Sequence, residues 1–123
     1  MHKISAFAAF RKRARLLLAF RGYEPVEPVG RSYLSRLIPL HLIGVKGDYE
    51  ALCVKLRMAN GAVNVPYAES LCRYEICQFR SLLRMDPGNA FLRCEVWVVS
   101  PNGIIHCFEI NEDRIREVAA YAR

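Results

Sequence analysis

The chain has 123 residues, the size of one compact domain that can bury a core without metals or disulfides. Its composition is that of an ordinary globular protein, and the longest apolar runs, at 16–20 and 37–45, are too short or too interrupted to span a bilayer. The net charge of +6 is uneven: residues 1–60 carry 11 Lys and Arg against 4 Asp and Glu, whereas residues 61–123 carry 7 against 8. A positive half of this kind favours a polyanion such as nucleic acid or an anionic membrane surface.

In chain order, Phe7, Phe10, Ala14, Leu17 and Leu18 recur at three- and four-residue spacing and predict an amphipathic helix over 4–21, stopped by Gly22. Arg11, Lys12 and Arg15 fall away from the apolar face, and Arg13 sits at its border. The opening 21 residues are rich in Arg and free of acids, as a transit peptide would be. Their apolar positions nevertheless read as part of the domain.

The run 24-EPVEPV-29 is extended, because its prolines remove donors and push their predecessors out of helical geometry; it predicts an edge strand. After a polar loop at 30–36, the apolar stretch 37–45 and the alternating stretch 49–58 predict a β-hairpin around Gly47-Asp48. Asn64 and Pro66 open a second helix over 66–84, whose stripe is Ala68, Leu71, Cys72, Ile76, Phe79, Leu82 and Leu83; Asp86-Pro87-Gly88 ends it. Residues 91–99 and 103–110 flank 100-SPNG-103 and predict a second hairpin, in which His106 packs across from Trp97. Asn111, followed by Glu112 and Asp113, predicts the cap of a final helix. The expected architecture is α/β: a mixed β-sheet with a central antiparallel hairpin, flanked by helices.

Five cysteines is an odd number, they lie in periodic segments, and no secretory leader precedes them, which points to a reducing cytoplasm. Their spacings match no metal or redox motif, so all five read as small core residues. Neither a phosphate-binding glycine loop nor a Ser-His-acid signature is present.

On the order of its elements, on Gly22-Tyr23 closing the first helix, and on 42-LIGVKGDYEALCVKLR-57 as the central hairpin, the chain resembles the restriction-endonuclease-like superfamily, the PD-(D/E)XK nucleases. Within it, the likeness is to small archaeal Holliday-junction-resolvase-like proteins, and it covers most of the chain. The resemblance implies a core of a helix, three antiparallel strands, a helix and a further strand. It places the motif positions at His41, Cys53 and Lys55, where the superfamily has an acid, a second acid and the lysine. Strand alternation puts Cys53, Lys55 and Arg57 on one face, and a plausible pairing brings His41 there too.

Cleavage in this superfamily depends on Mg²⁺, which prefers carboxylate and water oxygens; imidazole and thiol are the wrong ligands. His41 reads either as a hydrogen-bonded, partly buried histidine or as a ligand of a softer metal. Lys55 reads either as a phosphate contact or as a lysine whose head reaches solvent along a strand. Glu24 and Glu27 are the acids that could have migrated, while Glu50 has the wrong strand parity. On the second helix, Arg73, Gln78, Arg80 and Arg84 are further candidates for phosphate contacts. The expected function is a nucleic-acid-binding, nuclease-like domain that has lost metal-dependent cleavage and needs no cofactor. It would contact DNA or RNA electrostatically through Arg11, Lys12, Arg15, Lys55 and Arg57. Two alternatives stay open: an active Mg²⁺-dependent nuclease with a migrated acid, and a non-catalytic interaction subunit, which could be a homodimer joined through an exposed strand or hairpin.

Overall fold

The computed structural model describes residues 5–26, 40–48, 50–85 and 91–122. Several expectations fall outside them: Ile4, Glu27, the polar loop, the first part of the 37–45 stretch, Tyr49 and the stop at 86–88. Helix α1 (Ala6–Phe20) begins where the Ser5 hydroxyl accepts from Ala8 N at 3.0 Å, satisfying one of the unpaired amides of the first turn. It ends in a Schellman motif: Gly22, at φ 92°, donates to Ala19 O at 3.0 Å and Tyr23 donates to Leu18 O at 3.2 Å. Only glycine takes that left-handed position without a Cβ penalty.

Strand β1 (Glu24–Val26) follows directly and pairs antiparallel with β2 (Leu42–Lys46), which turns through Gly47-Asp48 into β3 (Glu50–Met58). Helices α2 (Val65–Leu71) and α3 (Arg73–Met85) then carry the chain across to β4 (Leu92–Val99), which runs parallel to β3. A parallel pair needs such a crossover. Strand β5 (Ile105–Ile110) returns antiparallel from the Ser100–Gly103 turn, and β6 (Ile115–Tyr121) pairs antiparallel with β5. The described residues therefore form an α/β architecture of three helices and a six-stranded mixed sheet in the order β1-β2-β3-β4-β5-β6.

Two apolar clusters lie on opposite faces of the sheet because strand side chains alternate. Leu52, Val54 and Leu56 of β3 join Trp97 of β4 beneath the Phe10, Ala14, Leu17 and Leu18 face of α1. Cys53, Cys94, Val96 and Val98 pack on the other face against Ala68, Cys72, Ile76, Phe79 and Leu82 of α2 and α3. Each fully buried Val, Leu, Ile or Phe side chain among them stabilises the fold by about 1.5–3 kcal/mol.

Three expectations are corrected. The final helix is instead β6: Asn111 N donates to Arg114 O at 2.9 Å and closes a turn, and residues 115–121 pair along β5 with Val118 bulged out between the partners of Cys107 and Phe108. Asn, Asp and Glu suit a turn as well as a helix start, and β6 satisfies the backbone edge of β5 that a helix would have left open. The second helix is divided at Cys72, where φ is −104° and ψ 22°, although Cys72 still accepts from Ile76 N at 2.8 Å, so little hydrogen bonding is lost. His106 and Trp97 do not pack together. His106 lies across from Val98 and Trp97 across from Cys107, which puts the two on opposite faces.

Candidate functional site

Lys55 is the sixth residue of β3 and points toward α3, on the face opposite Leu56. It is 5% exposed, and its ammonium donates to Gln78 Oε1 of α3. The Tyr74 ring lies over the same ammonium, 6.0 Å from Nζ to the ring centroid. Burial pushes the Lys55 amine below its ordinary pKa, and the carboxylate of Glu75 pulls the other way. Two residues further along the strand, Arg57 Nη1 donates to Glu75 Oε2 at 2.7 Å; the Arg57 side chain remains partly exposed. The second oxygen of that carboxylate, Glu75 Oε1, is buried and has no hydrogen-bond partner among the described residues.

His41 sits just before β2, where its main-chain N–H donates to Val54 O at 3.1 Å. Its Nδ1 accepts from Leu56 N at 2.7 Å, so the imidazole extends the β2–β3 ladder by taking a strand amide that has run out of carbonyl partners. The ring also meets Phe7 of α1 edge to face, with centroids 5.2 Å apart. Burial, followed by the charges of Lys55 and Arg11, holds its pKa below the usual histidine value, with Glu75 acting in the opposite direction. A neutral Nδ1 that accepts and an Nε2 that carries the proton is the state this geometry requires.

The positions singled out from the sequence thus separate into two groups. His41, Lys55 and Arg57 converge at one place with Glu75, Tyr74 and Gln78 of α3, and Arg11 of α1 is close enough for its charge to act on His41. Arg11 and Lys12 are exposed, as is Arg15, one turn beyond Arg11 on the same ridge. Cys53 belongs to the core instead: it is wholly buried beside Ala68, Cys72 and Cys94, and burial pushes its thiol up to about 12. It presents neither a thiolate nor an open ligand position. Cys72, Cys94 and Cys107 are likewise buried; Cys77, read from the sequence as a core thiol, is exposed.

Among the other candidates, Arg80 Nε donates to Asn111 O at 3.1 Å and ties α3 to the β5–β6 turn, while Arg73 and Arg84 are exposed. Glu50 accepts from the Tyr23 hydroxyl at 2.5 Å, and Glu24 is exposed on β1. Neither is a partner of Lys55.

Sequence reasoning missed Glu75 and Tyr74. For Glu75 a signal existed: it stands between Cys72 and Phe79, inside the apolar stripe of its helix, where a lone charge needs a partner. It also missed a polar cluster on the opposite face. Glu95 lies in the middle of the apolar strand β4 and is completely buried, accepting from Arg21 at 2.7 and 3.0 Å and from Trp97 Nε1 at 2.9 Å. That fork bolts the end of α1 to the centre of the sheet. Its donors and acceptors are matched, so it reads as a structural clamp.

The superfamily that the sequence resembles uses Mg²⁺, and the residues present do not fit that ion. Of the motif positions, one imidazole is spent on a backbone amide and one thiol is in the core. The carboxylate brought near Lys55, Glu75, is already paired with Arg57. Among the described residues, no three His, Cys, Asp or Glu side chains are grouped so as to hold a metal. Comparisons with protein-family models, with curated proteins and with solved structures returned no match for this chain.

Proposed function

We propose that this chain is a restriction-endonuclease-like domain that binds nucleic acid through its phosphates and does not cleave it. The observation that carries this reading is the meeting of His41, Lys55 and Arg57 with the Arg11 ridge of α1. Arg11 from the first helix and Lys55 from β3 both act on His41, and Arg57, two residues along β3, stays partly exposed, so cations from two distant parts of the sequence are brought to one place. The element order supports it as well: a helix, three antiparallel strands, a helical crossover and a fourth strand parallel to the third agree with the core that the resemblance implies. The exposed Arg11, Lys12 and Arg15 and the free side of Arg57 supply phosphate contacts, Lys55 adds its charge from its buried place beside Gln78, and none of them reads base edges.

Such contacts release counterions, so affinity falls steeply as salt rises, and each lost contact lowers the slope of log affinity against log salt by about one. Fluorescence anisotropy on labelled DNA and RNA tests this. Charge reversal of Arg11, Lys12 and Arg15 to Glu is expected to weaken binding by a similar factor for all sequences and to flatten the salt dependence. Failure of the parent protein to bind at low salt overturns the reading in favour of the interaction subunit. One feature would then matter: Leu16 and Phe20 stand exposed on α1 beside Tyr121 of the edge strand β6, an apolar face suited to a second protein or a second copy.

A further inference from the structure

We infer that the site takes nucleic acid with unpaired bases, which stack on Tyr74 and Phe7 while the neighbouring cations hold the backbone. The inference rests on the nucleic-acid reading above and narrows its substrate.

Two aromatic rings flank the cationic site from opposite sides of the sheet. Tyr74, in the first turn of α3, is 70% exposed, and its ring lies over the Lys55 ammonium. Phe7, in the first turn of α1, lies on the apolar side of its helix by periodicity, yet it remains 36% exposed and rests its ring against His41. His41 Nδ1 is bonded to the amide of Leu56, the residue after Lys55, so contacts run from Phe7 through His41 and this part of β3 to Tyr74 at the open end of the β2–β3 hairpin. From Phe7, the four-residue ridge of Arg11 and Arg15 continues along α1 for about 12 Å.

Exposed aromatic rings beside cations offer a partner both a stacking face and charge, and the charge around this pair selects the partner. An apolar protein surface would have to desolvate Arg11 and the free edge of Arg57, whereas a phosphate backbone neutralises them. A duplex cannot use the rings, because its bases are already stacked on one another and present only their edges. An unpaired strand can: its bases offer open faces to Tyr74 and Phe7 at the same time as its phosphates meet the cations. Every base has such a face, so the preference for unpaired strands carries no strong preference for sequence.

Anisotropy of a labelled oligothymidylate and of a duplex of equal length, at one low salt concentration, tests the inference with the full chain. Tyr74→Ala is expected to weaken the single strand about tenfold or more and to leave the duplex nearly unchanged; Tyr74→Trp, which keeps a stacking ring, restores the single-strand affinity. Tyr74 is exposed, so its loss does not threaten folding, and Phe7→Ala serves as the second variant. Equal losses on both ligands, or no loss on either, overturn the inference while the nucleic-acid reading stands on its charge-reversal test. A parent chain that binds neither ligand overturns both.

Discussion

His41 shows how one side chain can be claimed by structure at a position that the resemblance to the nuclease superfamily had marked for a metal-binding acid. Its Nδ1 accepts the Leu56 amide, a bond the protonated ring cannot make, and its surroundings add burial and the charges of Lys55 and Arg11. Its pKa in the folded chain is therefore below the value of about 6.5 that it has when unfolded. The unfolded chain then takes up a proton more readily as the solution is acidified. The stability tied to neutral His41 is fully present above about pH 6.5 and is lost as the pH falls through that value toward the lower folded pKa. The urea midpoint is expected to drop between about pH 7 and pH 5, and His41→Asn, which keeps an acceptor but does not titrate, is expected to flatten that part of the curve. An unchanged curve in the variant would show that other groups govern the acid limb. Glu75 and Glu95 teach a related lesson: each is a buried charge among apolar side chains, and each found an arginine, Arg57 and Arg21, from a distant segment.

Among the elements, the seat of α1 on β2 is the most closely fitted. Gly44 lies on β2 across from Pro25 of β1, under α1; a Cβ there would stand 2.7 Å from Tyr23 Cβ and 2.9 Å from Leu18 Cδ1. The Tyr23 atom is attached to the main chain and cannot swing aside, so α1 or β2 would have to move. Gly44→Ala is expected to cost about 1–3 kcal/mol in urea unfolding, as overpacking does. Gly61→Ala, where a Cβ meets nothing within 4 Å, is the control and is expected to stay within about 0.5 kcal/mol of the parent. The periodicity of α1 and the alternation of β3 are strong local signals, and both elements formed where those signals put them. Strand β6 carried no such signal. Its exposure is uneven, Val118 interrupts its register, and the reason it is extended is the open edge of β5, which no local pattern records.

For the whole molecule, the question of cleavage turns on how many carboxylates reach Lys55. The Mg²⁺ reaction needs hard oxygen ligands to polarise the phosphate and activate water. Among the described residues, Glu75 is the carboxylate whose field Lys55 feels, and one of its oxygens belongs to Arg57. Gel assays with branched, single-stranded and duplex DNA are therefore expected to show no Mg²⁺-dependent cleavage above that of a Lys55→Ala control. Cleavage that follows metal titration and disappears in that variant would return the migrated-acid alternative, with Glu75→Gln as the next substitution to make. The described residues contain no helix long and apolar enough to cross a membrane.

Composition and local pattern by themselves determined much of this chain: its α/β character, the first helix and its glycine stop, the β2–β3 hairpin, the helical crossover and the concentration of positive charge in the first half. These are short-range properties, because helix and strand periods repeat within a few residues and a turn is set by its own Gly, Asn or Pro. Tertiary structure alone decided what those elements meet. It sent Cys53 into the core while leaving Lys55 beside Gln78, turned His41 toward a backbone amide, and joined Glu75 to Arg57 and Glu95 to Arg21. It also put Tyr74 over the Lys55 ammonium and Phe7 against His41. Each of these contacts depends on strand register and on which helix covers which face, and both are settled only when distant segments satisfy one another's buried surfaces and unpaired backbone groups.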